Sequence, residues 1–484
     1  MKWILKYFVV LHVALAFALY SWLGGGTRSG WLQAWAPWVT FAMFQALMIF
    51  PQVKTTETLF QARERVWAGL FKDPLLYLTA ALAAFLIIQG LNGPRTQFYS
   101  EEMKAWLYTS PPVSWLPSCV QPKEALPILW WFAPALMGCL AAKHGLLKSG
   151  KRILLQAFCW IAGSLSVAGI VQFATKKQFM FGHEIMTGDY FASFGYPNFA
   201  AAYFLFGFVV SFGIFVWFKD NEKEEKTFGG TLMVLPMIAC FVGAVLSLSR
   251  AGILFAVVSM VFLGLYALLR AWGGMGAAGR AKAWIGLATA IILGVVIVFS
   301  MRDTGAIKEI RETHWDAFFN GRLTGNYQVR CATDMWKDYK VFGCGGWSYR
   351  YLVYQYLDPK EWPKLAGRGQ ANIHNDGVQF LCEHGLVGLG LIVSILAFCA
   401  VPVFGMWWRS SQQIDVTALR KTLRFYRFNF LMSTVLWGGA VLLFHSFFDI
   451  PFRSPAVIMF FFCTLILARG FDIKRYVNES VHSL

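Results

Sequence analysis

The sequence predicts an all-α polytopic membrane protein with about twelve transmembrane helices and a periplasmic cap between the ninth and the tenth. Three observations support this class. Hydrophobic residues make up 57% of the 484 residues and charged residues only 14%, whereas a soluble protein has roughly 25% charged residues. Long uncharged stretches recur along the chain, and lysine and arginine are concentrated in alternate connecting segments.

The transmembrane prediction rests on twelve stretches that lack Asp, Glu, Lys and Arg. Eleven of them contain at least 18 residues, close to the ~20 residues that a helix needs to cross a bilayer. The last contains 15 residues, and Arg453 and Arg469 at its ends can extend their side chains towards the membrane surface. The stretches are 7–27, 29–53, 74–94, 125–142, 153–175, 190–218, 227–249, 251–269, 283–301, 384–408, 428–448 and 454–468.

The distribution of positive charge predicts the orientation. If the N-terminus is cytoplasmic, the inner segments contain 24 Lys and Arg and the short outer loops contain 8. This asymmetry is typical of a bacterial inner-membrane protein with both termini in the cytoplasm. The net charge of +17 therefore indicates cytoplasmic loops rather than a surface for nucleic acid, and we expect no nucleic-acid partner.

Three parts of the chain follow from this topology: transmembrane helices 1–9 in residues 1–301, a periplasmic loop domain in 302–383, and helices 10–12 with a cytoplasmic tail in 384–484. The loop domain is too long for a connection and contains 11 Lys and Arg, 10 Asp and Glu and 14 aromatic residues. Aromatic faces suit sugar rings and arginine suits phosphate. Equally, these aromatics could form the core of a small folded cap. The outer loop 92–124, which contains Pro111, Pro112, Pro117 and Pro122, is predicted to be extended.

Arginines on the outer side are candidates for binding an anionic headgroup. Arg250 stands between two apolar spans with almost no loop, where a charge needs a partner or a cavity. The alternative is an interfacial anchor that reaches lipid phosphate. Arg322 and Arg330 precede a glycine turn at 343–346, and for them an ordinary solvated helix is the simpler interpretation.

A histidine that opens the tenth span is the candidate proton acceptor. His374 ends the long polar loop, and Asn375 or Asp376 could cap the helix that follows. Histidine is the side chain best suited to accept a proton near neutral pH. The alternative is that His374 only caps or packs this helix. Near the last span, His445, Asp449 and Arg453 favour a helix-end ion pair.

Nucleotide-driven transport finds no support, because the chain has no P-loop, no dinucleotide-binding glycine pattern and no zinc-ligand spacing. A transporter or flippase for lipid-linked solutes remains the alternative from another functional class. Intramembrane charge and inverted repeats are typical of transporters. The predicted spans show almost no such charge and no sign of a repeat.

Several short motifs occur in a fixed order between about residues 190 and 460. They are FGYPNFAAAYF at 194–204, SRAG at 249–252, GR at 321–322 followed by GCGG at 343–346, HND at 374–376 followed by GLVGL at 385–389, and DIP at 449–451. In this order they resemble the O-antigen ligase and O-antigen polymerase superfamily of bacterial envelope glycan transferases.

The resemblance implies transfer of a glycan from undecaprenyl diphosphate to an acceptor hydroxyl at the periplasmic face, without metal, nucleotide or other cofactor. Ligases use lipopolysaccharide core sugar as acceptor and polymerases use another lipid-linked repeat, so the acceptor stays open. The family histidine matches His374 and its first arginine matches Arg250. The second matches Arg322, with Arg330 as the alternative because the interval from Arg322 to the glycine turn is longer than usual.

The chemistry of the residues agrees with this role. A diphosphate is a good leaving group that needs charge stabilisation more than a proton, and arginine supplies it. The acceptor hydroxyl needs a base, and a neutral histidine supplies that. A single displacement would invert the anomeric centre. The expected partners are therefore the lipid-linked glycan donor, a lipid or glycan acceptor, and membrane lipids.

Overall fold

The computed structural model describes most of the chain, with gaps around the ninth predicted span and within the predicted loop domain. The described residues are 7–23, 25, 29–94, 96–102, 105–177, 179–180, 183–184, 191–221, 228–272, 281, 284–285, 288, 292, 327–358, 372–412 and 429–471. Arg322 and most of the predicted span 283–301 lie outside them.

Helices make up most of the described chain. They are α1 Phe8–Trp22, α2 Ser29–Ile49, α3 Leu59–Phe71, α4 Pro74–Leu91, α5 Pro122–Ala125, α6 Leu129–His144, α7 Lys148–Thr175, α8 Pro197–Asp220, α9 Phe228–Leu232, α10 Val234–Leu246, α11 Arg250–Trp272, α12 Tyr327–Asp338, α13 Tyr349–Leu352, α14 Asp376–Gln412, α15 Phe430–His445 and α16 Pro455–Leu467. Short 3-10 turns cover Leu126–Ile128, Val353–Gln355, Pro451–Arg453 and Ala468–Phe471.

Six helices in the described part are long and apolar enough to cross a membrane, and five shorter apolar helices accompany them. This confirms the predicted class of an all-α membrane protein. Eleven of the twelve predicted stretches overlap one of these helices. The remaining stretch, 283–301, falls almost entirely outside the described residues.

Two details differ from the sequence-based expectation. Helix α14 begins at Asp376, eight residues before the predicted span, but its backbone is not helical at Gly385 (φ +63°, ψ −167°), so residues 376–384 form a separate helical segment that meets the span at a kink. The charged residues of this segment, Asp376 and Glu383, are buried rather than solvated. The outer loop 92–124 is not simply extended: β1 Gln97–Ser100 pairs antiparallel with β2 Ala105–Tyr108. A second small hairpin joins β3 Phe179–Met180 and β4 His183–Glu184.

Helix α8 forms the centre of the bundle. Its small residues Ala200, Ala201 and Ala202 are fully buried, as are the large aromatic residues that follow them. A helix that is apolar on all sides is expected to be buried by other helices. Accordingly α8 packs against α7, α10, α11, α15 and α16, and its first residues reach the polar end of the bundle where the candidate site lies.

The connecting segments gather at two opposite ends, as the alternation of charge predicts. At the predicted inner end, the Asp73 carboxylate caps α4 and lies 2.7 Å from Lys143 Nζ and 2.6 Å from His144 Nε2. Burial alone would raise the pKa of Asp73, but hydrogen bonds from His144 and Lys143 lower it to about 2. This ion cluster ties α4 to the end of α6.

Candidate active site

Three segments that are distant in the sequence meet at the predicted outer end of the bundle: the start of α8, the start of α14 and the turn after α15. Asn375 caps α14, because its Oδ1 accepts a hydrogen bond from Val378 N at 3.0 Å. Its Nδ2 donates to the carbonyl oxygen of Phe447 at 3.0 Å. The backbone N–H of Asp376 donates to Ser446 O at 2.9 Å. The helix cap therefore also fixes the turn after α15 beside His374.

The Asp449 carboxylate accepts hydrogen bonds from several groups of this region, and Asp449 is 5% exposed. Tyr196 Oη donates to both carboxylate oxygens at 3.1 Å. Asn198 Nδ2 also donates to this carboxylate, and to Tyr196 Oη at 2.8 Å. The backbone N–H of Ile450 donates to Oδ1 at 2.8 Å. These donors come from two segments of the chain and fix the orientation of the carboxylate.

His374 lies beside this carboxylate and is partly accessible. Its Nδ1 is 3.4 Å from Asp449 Oδ1 and 3.5 Å from Tyr196 Oη, and its side chain is 34% exposed. The first distance is long for a hydrogen bond, as is common for catalytic pairs without substrate. When Nδ1 carries the proton and points at Asp449, Nε2 is the proton acceptor. The pair therefore has the chemistry of an oriented general base.

The backbone of His374 is in the left-handed region, with φ of +56°. Few residues other than glycine adopt this conformation, and those that do are concentrated at functional sites. This observation favours a functional position over a simple helix cap, since Asn375 already supplies the cap.

A second buried ionic cluster lies behind the histidine. Arg453 Nη2 is 2.8 Å from Glu383 Oε2, and Arg453 Nε is 3.8 Å from Asp376 Oδ1. The guanidinium carbon lies 4.9 Å from the centre of the Trp347 ring and 5.6 Å from that of Trp131. Arg453 does link the last two spans to α14, but its partners are Glu383 and Asp376 rather than Asp449.

The glycine turn at 343–346 forms backbone hydrogen bonds with the start of α14. The backbone N–H of Cys344 donates to Cys382 O at 2.9 Å, and that of Gly345 donates to Glu383 O at 2.8 Å. Gly343 has φ of +73° and Gly385 has φ of +63°, and a Cβ on either would collide with the backbone of the other segment. Both motifs that carry the family resemblance here thus require glycine for close backbone contact.

The described part of the long outer segment has its own small core. Val329, Met335, Tyr349 and Leu352 are buried together, which agrees with the folded-cap interpretation. The cap joins the loop 92–124, because Tyr351 Oη donates to Glu124 Oε1 at 2.8 Å. Burial and this hydrogen bond raise the pKa of Tyr351 to about 12, so the phenol stays protonated as a donor.

The other predicted site residues occupy different positions. Arg250 is the first residue of α11, directly after Ser249, whose Oγ accepts the N–H of Gly252 at 3.1 Å. The start of α11 packs closely against Ala201 of α8, and its Phe255 ring lies 5.5 Å from that of His445. Arg250 is therefore at the same end of the bundle as His374.

Of the two alternatives for the second arginine, the structure describes only Arg330. Arg330 is exposed on α12, which packs against α14. Arg322 lies outside the described residues. The structure thus brings Arg250 to the end of the bundle that holds His374, and it leaves the choice between Arg322 and Arg330 as a prediction.

A cavity of ≈180 Å³ opens beside the ionic cluster. Apolar side chains such as Trp131, Phe380 and Ile392 line most of it, and Asp376 and Arg453 line its polar end. Within the described ranges, no group of three His, Cys, Asp or Glu side chains is arranged to hold a metal ion.

Four residues of this region are absent from the sequence-based site: Tyr196, Asn198, Gln379 and Glu383. The first two lie in the FGYPNF motif, whose polar residues open an otherwise apolar helix. Glu383 interrupts an apolar run, and a charge in such a run is a signal of a functional or paired group. These signals were present in the sequence, but the contacts span up to 253 positions and could not be read from spacing.

Comparison with known proteins gives one match. Residues 235–393 match the family model described as O-antigen ligase (Wzy_C). The matched region contains Arg250, Arg330, the glycine turn and His374. No curated protein matches the chain.

Proposed function

We propose, from the match of residues 235–393 to the O-antigen ligase family model, that the chain transfers a glycan from undecaprenyl diphosphate to an acceptor hydroxyl at the periplasmic face of the bacterial inner membrane. The family supports a membrane enzyme that processes lipid-linked glycans. The donor, the stereochemistry and the residues below are our proposal.

The observation that carries the proposal is the pair of His374 and Asp449. His374 is the exposed member and Asp449 is the buried one. Asp449 accepts a hydrogen bond from Nδ1–H of His374 and holds the ring, so that Nε2 removes the proton from the acceptor hydroxyl. The deprotonating oxygen then attacks the anomeric carbon, and the bond from that carbon to the diphosphate oxygen breaks. A single displacement inverts the anomeric configuration.

The diphosphate needs fixed positive charge as it leaves. Arg250 fits this role because it starts α11, where the helix dipole also favours an anion. Arg322, or alternatively Arg330, is proposed as the second arginine. Arg453 is a poor choice, because Glu383 and Asp376 already neutralise its charge. The apolar cavity suits part of the donor hydrocarbon chain.

The proposed topology places this site correctly for such a donor. Twelve spans with both termini in the cytoplasm put residues 302–383 outside as a periplasmic cap over His374. The positive-inside asymmetry supports this arrangement. The donor itself supplies the energy of transfer, so the mechanism needs no nucleotide.

Analysis of surface glycans in a strain that lacks the protein tests the proposal. Lipid-linked long chains with an uncapped lipopolysaccharide acceptor would identify a ligase. Single repeats on the acceptor would identify the alternative, an O-antigen or polysaccharide polymerase. Unchanged surface glycans would contradict both.

A further inference from the structure

A continuous series of buried hydrogen bonds leads from Arg453 to the backbone just before His374. Arg453 Nη2 donates to Glu383 Oε2 at 2.8 Å, and Gln379 Nε2 donates to Glu383 Oε1 at 2.9 Å. Gln379 Oε1 then accepts the backbone N–H of Ile373 at 3.1 Å. Ile373, Gln379 and Glu383 are at most 1% exposed and Arg453 is 6% exposed.

This series ends where the backbone is strained. His374 has φ of +56°, and a residue other than glycine keeps such a conformation only when its surroundings impose it. On the C-terminal side of His374, Asn375 and Asp376 are bonded to the turn after α15. On the N-terminal side, the bond from Ile373 N–H to Gln379 holds the chain.

We propose that Gln379 and Glu383 are positioning residues that hold His374 in the left-handed conformation and thereby aim its imidazole at Asp449. This inference rests on the proposed role of His374 as base. Neither residue touches the imidazole, so each acts through the backbone.

The chemistry of residue 379 explains why an amide is needed. Its side chain must accept from a backbone N–H and donate to a carboxylate at the same time. Glutamine does both, whereas glutamate lacks the donor and methionine lacks both groups. Glu383 in turn must be an acceptor on both oxygens, between Gln379 and the Arg453 guanidinium. Because these groups are buried, an unmade bond cannot be replaced readily by water.

Hydrogen–deuterium exchange of the purified full-length protein tests the backbone claim without any substrate. Gln379→Met should accelerate exchange of the Ile373 amide by about 10-fold or more, with the rest of α14 unchanged. Gln355→Met is the matched control, because Gln355 is exposed in the cap, and it should leave exchange at Ile373 unchanged. If the Ile373 amide of Gln379→Met exchanged at the wild-type rate, the proposal would be overturned.

A swap of the two side chains provides the rescue test. Gln379→Glu alone and Glu383→Gln alone should each disturb Ile373. The double variant Q379E/E383Q keeps the same shapes and net charge, and it restores every bond: Glu at 379 accepts from Ile373 and from the amide now at 383, whose oxygen accepts from Arg453. Exchange at Ile373 should return close to the wild-type rate. If the Ile373 amide of the double variant exchanged as fast as in the single variants, the proposed series of hydrogen bonds would be wrong.

Transfer assays of the same variants separate positioning from general damage. Gln379→Met should lower kcat with little change in KM, and should have no further effect in a His374→Ala background. An equal loss of kcat in both backgrounds would overturn the positioning role. If the exchange results hold but the wild-type protein transfers no glycan, the proposed function fails while the backbone relationship stands.

Discussion

At the scale of single residues, the site consists of side chains whose partners lie far apart in the sequence. The sequence identifies His374 by its place at the start of an apolar span, and it groups His445, Asp449 and Arg453 as a helix-end ion pair. It could not show that Asp449 instead belongs with Tyr196, Asn198 and His374. His445 and Asp449 are four residues apart, a spacing that places two side chains on the same face of a helix. The helix ends at His445, so Asp449 does not share that face.

The positive charge at the start of α11 leads to a prediction about the diphosphate. Arg250→Ala should reduce transfer by about 10²-fold or more, and Arg250→Lys should recover little because lysine lacks the planar, bidentate fork. Of Arg322→Ala and Arg330→Ala, one should resemble Arg250→Ala and the other should be nearly silent. Turnover per folded molecule in membranes with normal expression measures this. Normal transfer by all three Ala variants would contradict the proposed binding of the diphosphate by arginine.

At the scale of elements, the start of α14 is a part of the fold that hydropathy alone does not predict. Glu383 limits the predicted span, because a charged residue ends each uncharged stretch. The structure buries Glu383 fully against Arg453 and adds a short helical segment from Asp376, which joins the span at the kink at Gly385. Paired burial of opposite charges depends on tertiary contacts, so no pattern within one segment could predict it. The apolar helices themselves were predictable, since their composition alone requires them.

The close contact between the glycine turn and α14 gives a stability prediction. Gly385→Ala should destabilise the protein by about 2 kcal/mol or more, because φ is +63° and the new Cβ would meet Val341 O and Gly343 N. Gly390→Ala is the control on the same helix. Nothing lies within 4 Å of a Cβ there, so it should be neutral or stabilising by up to about 1 kcal/mol. Thermal unfolding in detergent compares the two, and equal stability would contradict the contact.

The ion cluster at the predicted inner end gives a pH prediction. The folded-state pKa of Asp73 is about 2, below its ordinary value of 3.8. Ionised Asp73 therefore contributes stability that is complete above about pH 4 and is lost as pH falls towards 2, about 2 kcal/mol in total. Asp73→Asn should be less stable than wild type at pH 6, and the difference should shrink between pH 4 and pH 2. A difference that is constant across this range would contradict the role of the charge.

At the scale of the whole molecule, the charge asymmetry predicts sidedness. Reporter fusions at residues 63, 148, 223 and 421 should report the cytoplasm, and fusions at 110 and 360 should report the periplasm. The contacts at the two ends of the bundle agree with this grouping, since Asp73 meets His144 at one end and Tyr196 meets Asp449 at the other. A cytoplasmic signal at 360 would contradict the mechanism, because donor and site would then face different compartments.

The central claim is that His374 accepts the proton of the acceptor hydroxyl. The most direct measurement is transfer by purified protein from undecaprenyl-diphosphate-linked glycan to its acceptor, with chelator present and nucleotide absent. The account predicts turnover by the wild type under these conditions. It also predicts that His374→Ala stays folded and inserted while turnover per folded molecule falls by about 10²-fold or more. Near wild-type turnover by folded His374→Ala, or a strict requirement for metal, would contradict the account.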